Sequence, residues 1–303
     1  MIAQDKLTHL PERFPYSCQW EITCRCNLHC VMCYTDCFNR PEAIRQELST
    51  ADILRIMDEL AEAGTLELCL TGGEPLARPD FFQLYEHAIR CGFLVTVFSN
   101  GTLITEAHAD RFAALRPHRI ELSLHGLTRE TFEQVTLGQG SYDRCFQAIT
   151  LLLDRQIPLV LKSTAMTLNR QEILDIKRYV ESLGTVPYKL GEEMRPSLDG
   201  GAGPFHYALS EQHLADLNRQ DTDLAQEAGQ QGSVDQPPCR SGMHAFHIDA
   251  YGRLQLCSGN RRQSYDLRTG SFSVGFFEAL PTFSCDWKVP LESALIQPGM
   301  HHA

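Results

Sequence analysis

The stretch Ser17–Tyr34, SCQWEITCRCNLHCVMCY, decides how the rest of the chain is read. Ser17 to Thr23 reads as a β-strand. Directly beyond it, Cys26, Cys30 and Cys33 stand in a C-x3-C-x2-C spacing. Three thiolates this close can wrap one compact metal centre, and soft thiolates select zinc or an iron–sulfur cluster. A closed structural site takes four ligands, so a set of three leaves one metal corner open to a ligand that is not protein. The competing reading is a zinc site completed by Cys24, Cys37 or His29.

Working outward, strand-length apolar runs alternate with helical patterns. Leu66–Leu70, Phe93–Phe98, Arg119–Leu124, Leu159–Lys162 and Pro187–Leu190 read as strands. Ser49–Ala63 reads as a helix capped by Ser49 or Thr50, with Ile53, Leu54, Met57 and Leu60 on one face. Pro79–Cys91, Thr105–Leu115, Thr128–Val135, Tyr142–Arg155 and Arg170–Leu183 are the other helical stretches. Six β-then-α units in series demand parallel strands with right-handed crossovers. The fold class expected is therefore α/β, and a partial (βα)6 or a complete βα barrel fits better than an open sheet. In such folds chemistry sits at the C-terminal ends of the strands, where the cysteine loop lies.

After Leu190 the pattern breaks. Pro196–Pro204 is a Gly-rich loop, Ser210–Leu217 a capped helix start, and the polar stretch 225–238 a linker ending in Pro-Pro. Phe246–Ile248 and Arg253–Leu256 flank Asp249-Ala250-Tyr251-Gly252 and read as a β-hairpin. The expected organisation is an N-terminal arm (1–16), a barrel domain (17–224), a linker (225–238) and a small hairpin-containing extension (239–303).

Composition bounds the function. The 303 residues carry 27 Lys and Arg against 38 Asp and Glu, a net charge of −11. An acidic chain disfavours nucleic acid and anionic membrane as partners. No run of about 18 apolar residues predicts a membrane span. The opening residues Met1 to Lys6 lack a basic and an apolar targeting region, so the expected location is cytoplasmic. In a reducing compartment the 12 cysteines do not form a disulfide framework. The dense group Cys18–Cys37 then points to metal or catalysis. Cys69, Cys91 and Cys145, inside apolar periodic segments, read as small buried hydrophobes.

A second motif narrows the choice. Thr71-Gly72-Gly73-Glu74-Pro75 directly follows the second strand, where two glycines permit close backbone approach and Glu74 adds an acceptor. Cys26, Cys30 and Cys33 with Tyr34, then Gly72-Gly73-Glu74-Pro75, Ser99-Asn100-Gly101-Thr102 and Ser123-Leu124-His125-Gly126 at successive strand ends resemble the radical S-adenosylmethionine (radical SAM) superfamily over Ser17–Leu190. His125 departs from the pattern, since many relatives carry Asp there.

The resemblance implies a [4Fe-4S] cluster on Cys26, Cys30 and Cys33, with S-adenosylmethionine on the open iron. It further implies that Gly72, Gly73 and Glu74 face the methionyl amino group and that Tyr34 lies near the adenine. Ser99, Asn100 and Ser123 become candidates for ribose or carboxylate contacts, with strand-end capping as the alternative for the two serines. Cys24 and Cys37 receive no role. Cys239, the hairpin and Cys257 resemble the opening of the SPASM or twitch extension, which binds an auxiliary iron–sulfur cluster. Only Cys285 follows here, so the implied second cluster rests on Cys239, Cys257 and Cys285. The expected activity is reductive cleavage of S-adenosylmethionine to a 5′-deoxyadenosyl radical that takes a hydrogen atom from a peptide or protein. A flavodoxin- or ferredoxin-type donor would supply the electron. The alternatives are a small-molecule substrate or a degenerate iron–sulfur or peptide-binding module.

Overall fold

The computed structural model describes residues 11–191, 194–221 and 241–285. The first ten residues of the arm, the linker 225–238, Cys239 and the tail from 286 lie outside the described residues. Six parallel strands follow one another in the sheet: β1 (Ser17–Glu21), β2 (Glu67–Thr71), β3 (Leu94–Ser99), β4 (Arg119–Ser123), β5 (Leu159–Thr164) and β6 (Tyr188–Gly191). Their crossovers carry α1 (Pro41–Ile44) and α2 (Thr50–Glu62), α3 (Phe81–Arg90), α4 (Glu106–Ala114), α5 (Arg129–Thr136) with α6 (Ser141–Asp154), and α7 (Ile173–Ser182); α8 (Glu211–Gln220) follows β6. The strand order ends at β6 and never returns to it, so the barrel is partial, as expected. Among the described residues no helix is long and apolar enough to cross a membrane.

The alternation of side chains explains the two faces of this sheet. Cys18 and Trp20, Leu68 and Leu70, Val95 and Val97, and Ile120 and Leu122 share one buried cluster with helix residues such as Ile56, Leu84 and Phe112. Gln19, Phe98, Glu121, Ser123 and Lys162 take the other face and line a cavity. On α2, Ser49 and Asp52 form a reciprocal capping box, and Ile53, Ile56, Met57 and Leu60 are buried. Leu54, expected on that face, is only half-buried. The buried stripe runs i, i+3, i+4, i+7 from Ile53, which selects Ile56 instead.

The C-terminal hairpin is present, as β7 (Ala245–Ile248) and β8 (Arg253–Gln255). In its turn Asp249 Oδ1 accepts from the backbone N–H of Tyr251 (2.9 Å) and Arg253 (3.0 Å). Gly252 takes φ +82°, which a side chain would resist, and a Cβ there would press Leu48. Sequence pattern did not announce what β7 pairs with. It lies parallel to β1, Ser17 opposite Ala245 and Trp20 opposite Ile248, and β9 (Tyr265–Asp266) pairs with β8. One nine-stranded sheet results, in the order β6-β5-β4-β3-β2-β1-β7-β8-β9. Phe272 and Phe276 then pack their rings 5.1 and 5.4 Å from that of Phe246, burying the outer face of the added strands.

Candidate functional site

The cysteine loop leaves β1 and is pinned from every side. Glu47 accepts from the Cys24 N–H (2.7 Å) and the Thr23 hydroxyl (2.9 Å) and pairs with Arg25. The Asn39 side chain brackets Cys26, accepting from its N–H (3.1 Å) and donating to its carbonyl (3.0 Å). The Val31 and His29 N–H groups donate to the Val135 and Thr136 carbonyls at the end of α5. These bonds fix where the three thiols stand before anything binds them.

The Gly-Gly turn answers a packing demand of the chain itself. A Cβ on Gly72 would sit 2.2 Å from the Thr23 carbonyl oxygen, and one on Gly73 would sit 2.4 Å from that of Arg25. Through this closeness the Gly73 N–H donates to Thr23 (2.9 Å) and the Glu74 N–H to Arg25 (2.7 Å), extending the β1–β2 ladder into the cysteine loop. Glu74 is fully buried. Its carboxylate accepts from the Ser99 hydroxyl (2.9 Å), the Asn100 N–H (2.7 Å) and the Leu76 N–H (3.2 Å), so it organises the end of β3. Burial pushes this carboxyl up to about 7, against the pull of those donors. Ser99 also accepts from the Gly101 N–H, the capping pattern of a strand end. Asn100 donates to Asn27 (3.1 Å) and accepts from Thr102, tying β3's loop to the cysteine loop.

A cavity of about 550 Å³ opens at these strand ends. Cys26, Cys30, Cys33, Tyr34, Gly72, Gly73, Ser99, Asn100 and Ser123 all line it. Glu74 stands behind that wall. Cys257 and Cys285 do not line it, and Cys239 lies outside the described residues. Cys257 Sγ accepts from the Asn260 N–H at 3.3 Å, and Asn260 Nδ2 donates to the Ser284 carbonyl at 3.0 Å, which brings the segment ending in Cys285 beside the loop after β8.

Sequence reasoning missed the charged residues inside the cavity. Glu121, Lys162, Lys189 and Arg195 line it. Glu121 bonds Lys189 (2.7 Å) and Arg119 (2.8 Å), while Lys162 lies 3.2 Å over the Phe98 ring centroid. Burial pushes the Lys162 ammonium down to about 8. A readable signal existed: Glu121 stands between Ile120 and Leu122 in RIELS, and Lys162 directly follows the apolar run Leu159–Leu161 in LVLKST. His125 also lines the cavity, is buried, and accepts from the Thr164 N–H at 3.3 Å; burial lowers it to about 4, so it is neutral near pH 7. Tyr34 is held by the Gly-rich loop after β6 and by the extension. Its carbonyl accepts from the Leu198 N–H (2.9 Å), and the Arg261 guanidinium lies 5.8 Å over its ring.

The donor set fits an iron–sulfur core better than a single ion. Among the described residues, Cys26, Cys30 and Cys33 are not gathered within 4.8 Å of one another. One tetrahedral zinc with 2.3 Å bonds would hold its sulfurs about 3.8 Å apart. The residues proposed to complete a zinc site are engaged elsewhere: His29 with Asp36 (3.0 Å), Cys24 with the Tyr251 hydroxyl (3.5 Å), Cys37 with the Tyr34 carbonyl (3.9 Å). Burial raises all three cavity thiols, Cys26 to about 12. A cationic metal core reverses that preference and releases the thiol protons.

A parallel βα partial barrel with three open-ended thiols at the rim of its first strand defines the class: a metal-dependent, cofactor-binding α/β protein. The radical SAM superfamily model matches residues 20–180, and the chain belongs to that superfamily. An AdoMet-dependent heme synthase of Methanosarcina barkeri is 32% identical over 169 residues, 56% of this chain and 48% of the relative. A PqqA peptide cyclase of Ruegeria pomeroyi is 32% identical over 164 residues, 53% of this chain and 42% of the relative. The chain thus spans less than half the length of these curated relatives. The structure of Streptococcus suis SuiB bound to S-adenosylmethionine superposes with a TM-score of 0.70 and 16% identity over 88% of this chain and 67% of SuiB, a likeness of fold.

Proposed function

We propose that this protein is a radical SAM enzyme that modifies a peptide, with its [4Fe-4S] cluster on Cys26, Cys30 and Cys33. The observation that carries the reading is the convergence of those thiols with the Gly72-Gly73 turn, Asn100 and Ser123 in one cavity at the ends of four neighbouring strands. When bound, the cluster and S-adenosylmethionine supply reductive S–C5′ cleavage and a 5′-deoxyadenosyl radical that abstracts hydrogen. The chain supplies position. Asn39 and Glu47 hold the loop, Gly72 and Gly73 offer backbone to the methionyl amino group, and Tyr34 offers its ring to the adenine. Glu74 acts as a positioning residue through Ser99 and Asn100. A peptide substrate is supported by the peptide cyclase among the relatives. A small carboxylated substrate is the second reading; Lys162, Lys189 and Arg195 in the cavity and the heme synthase relative favour it.

Cys257 and Cys285, brought to one loop cluster by Asn260, complete with Cys239 the ligand set we assign to an auxiliary iron–sulfur cluster. The electron would come from a flavodoxin- or ferredoxin-type donor, and a cytoplasmic setting suits such oxygen-sensitive chemistry. Anaerobic reconstitution tests the whole. The wild type should hold about four irons at the first site and release 5′-deoxyadenosine with reductant. Cys30→Ala should fold yet release none; release from that variant would refute the assignment. Additional iron lost on Cys257→Ala would mark the second cluster, and unchanged iron would remove it.

A further inference from the structure

On the outer helical layer, apart from the cavity, α2 and α3 bring three unlike donors together. Asp58 on α2, His87 in the last turn of α3 and Cys91, which closes α3, place a carboxylate oxygen, an imidazole nitrogen and a thiol sulfur all within 4.8 Å of one another. His87 Nε2 stands 2.7 Å from Asp58 Oδ1, and the Cys91 thiol donates to the same oxygen at 3.6 Å. His87 and Cys91 are four residues apart, so α3 presents them on one face. Neighbouring packing of α2 and α3 supplies the third group. Cys91 was expected to be a buried hydrophobe. It is half-buried and faces a carboxylate, which, after burial, is the next cause raising its pKa, while Arg90 opposes both.

We propose that Asp58, His87 and Cys91 bind a zinc-type divalent cation, with water completing the coordination. Zinc takes N, S and O donors at about 2.0–2.3 Å, so donors already within 4.8 Å of one another need only rotamer adjustments to reach it. The thiol and imidazole select zinc over magnesium or calcium, which prefer oxygen alone. Binding leaves the Asp58 carboxylate charged, moves the imidazole proton from Nε2 to Nδ1 and releases one proton from the Cys91 thiol, so the filled site is neutral. The ion ties α2 to α3 and stabilises the folded chain by binding it alone.

The test uses the cluster-loaded holoprotein, in which Cys26, Cys30 and Cys33 are occupied. Cys91 alkylation is followed on its own peptide by mass spectrometry, with and without zinc. Zinc at ten times its dissociation constant should slow labelling roughly tenfold in the wild type. It should not do so in His87→Ala or Asp58→Asn, both of which keep their iron content and 5′-deoxyadenosine release. After dialysis the wild type should retain one more zinc per chain than His87→Ala. Labelling rates indifferent to zinc, or equal zinc in wild type and His87→Ala, would overturn the proposal.

Discussion

Arg261, in the loop beyond β8, grips Glu21 at the end of β1 through both carboxylate oxygens, at 2.8 and 2.5 Å. Burial would raise the Glu21 carboxyl, but His247 and the Arg261 guanidinium together hold it below the ordinary carboxylate range. The same guanidinium covers Tyr34. This two-pronged ion pair reinforces, beside the cysteine loop, the β7–β1 pairing that joins the extension to the barrel.

Arg261→Ala should destabilise the protein by about 3–5 kcal/mol, because Glu21 is left buried without its cation. Adding Glu21→Gln should recover most of that loss. Denaturant unfolding of the two variants measures it, and a double variant as unstable as the single one would show that the pair is not the cause.

Gly73→Ala should leave far-UV circular dichroism unchanged while emptying the site. Its methyl group meets the Arg25 carbonyl, so the cysteine loop must move. Iron content after reconstitution and 5′-deoxyadenosine release should both fall by roughly tenfold or more, as expected when ligand geometry is lost. Full iron in this variant would contradict the packing account.

Lys162→Met should separate cofactor cleavage from substrate chemistry. Lys162 lines the cavity without touching the cysteine loop's hydrogen bonds. Loss of one charge-assisted contact, about 1.5–3 kcal/mol, corresponds to roughly 10–100-fold in substrate turnover. Substrate-free 5′-deoxyadenosine release should stay near the wild-type rate, and a parallel collapse of both rates would place Lys162 in cofactor binding instead.

His247 is buried against Glu21, and burial lowers it from 6.5 to about 4. Its folded-state pKa is depressed, so its contribution is complete above the unfolded value and is lost as pH falls through this window. Compared with His247→Phe, the wild type should lose about 1.4 kcal/mol per pH unit between pH 6.5 and 4. Parallel pH–stability curves for the two proteins would show that the histidine titrates normally.

The barrel strands and helices were legible because each strand turns one face to the helices and the other to the cavity, and each helix buries one stripe, which imposes period-two and period-3.6 patterns on the residues themselves. Ser49 before Ile53 announced its helix cap, and the register of Cys26, Cys30 and Cys33 after Ile22 announced the rim. Long-range partners left no such trace. Nothing near Ala245 states that it will lie beside Ser17, and nothing near Arg261 names Glu21. The role of Gly72 and Gly73 was half visible: closeness was required, but to Thr23 and Arg25 of the same chain.

The seating of β7 against β1 has a consequence for biogenesis. Ser17 meets Ala245 only after a further 228 positions have been translated, counting 245 − 17. Until then the first strand of a nascent chain carries a bare, sticky flank, open to any passing extended polypeptide. A late-closing seam of this kind slows folding and invites chaperone attendance on the ribosome.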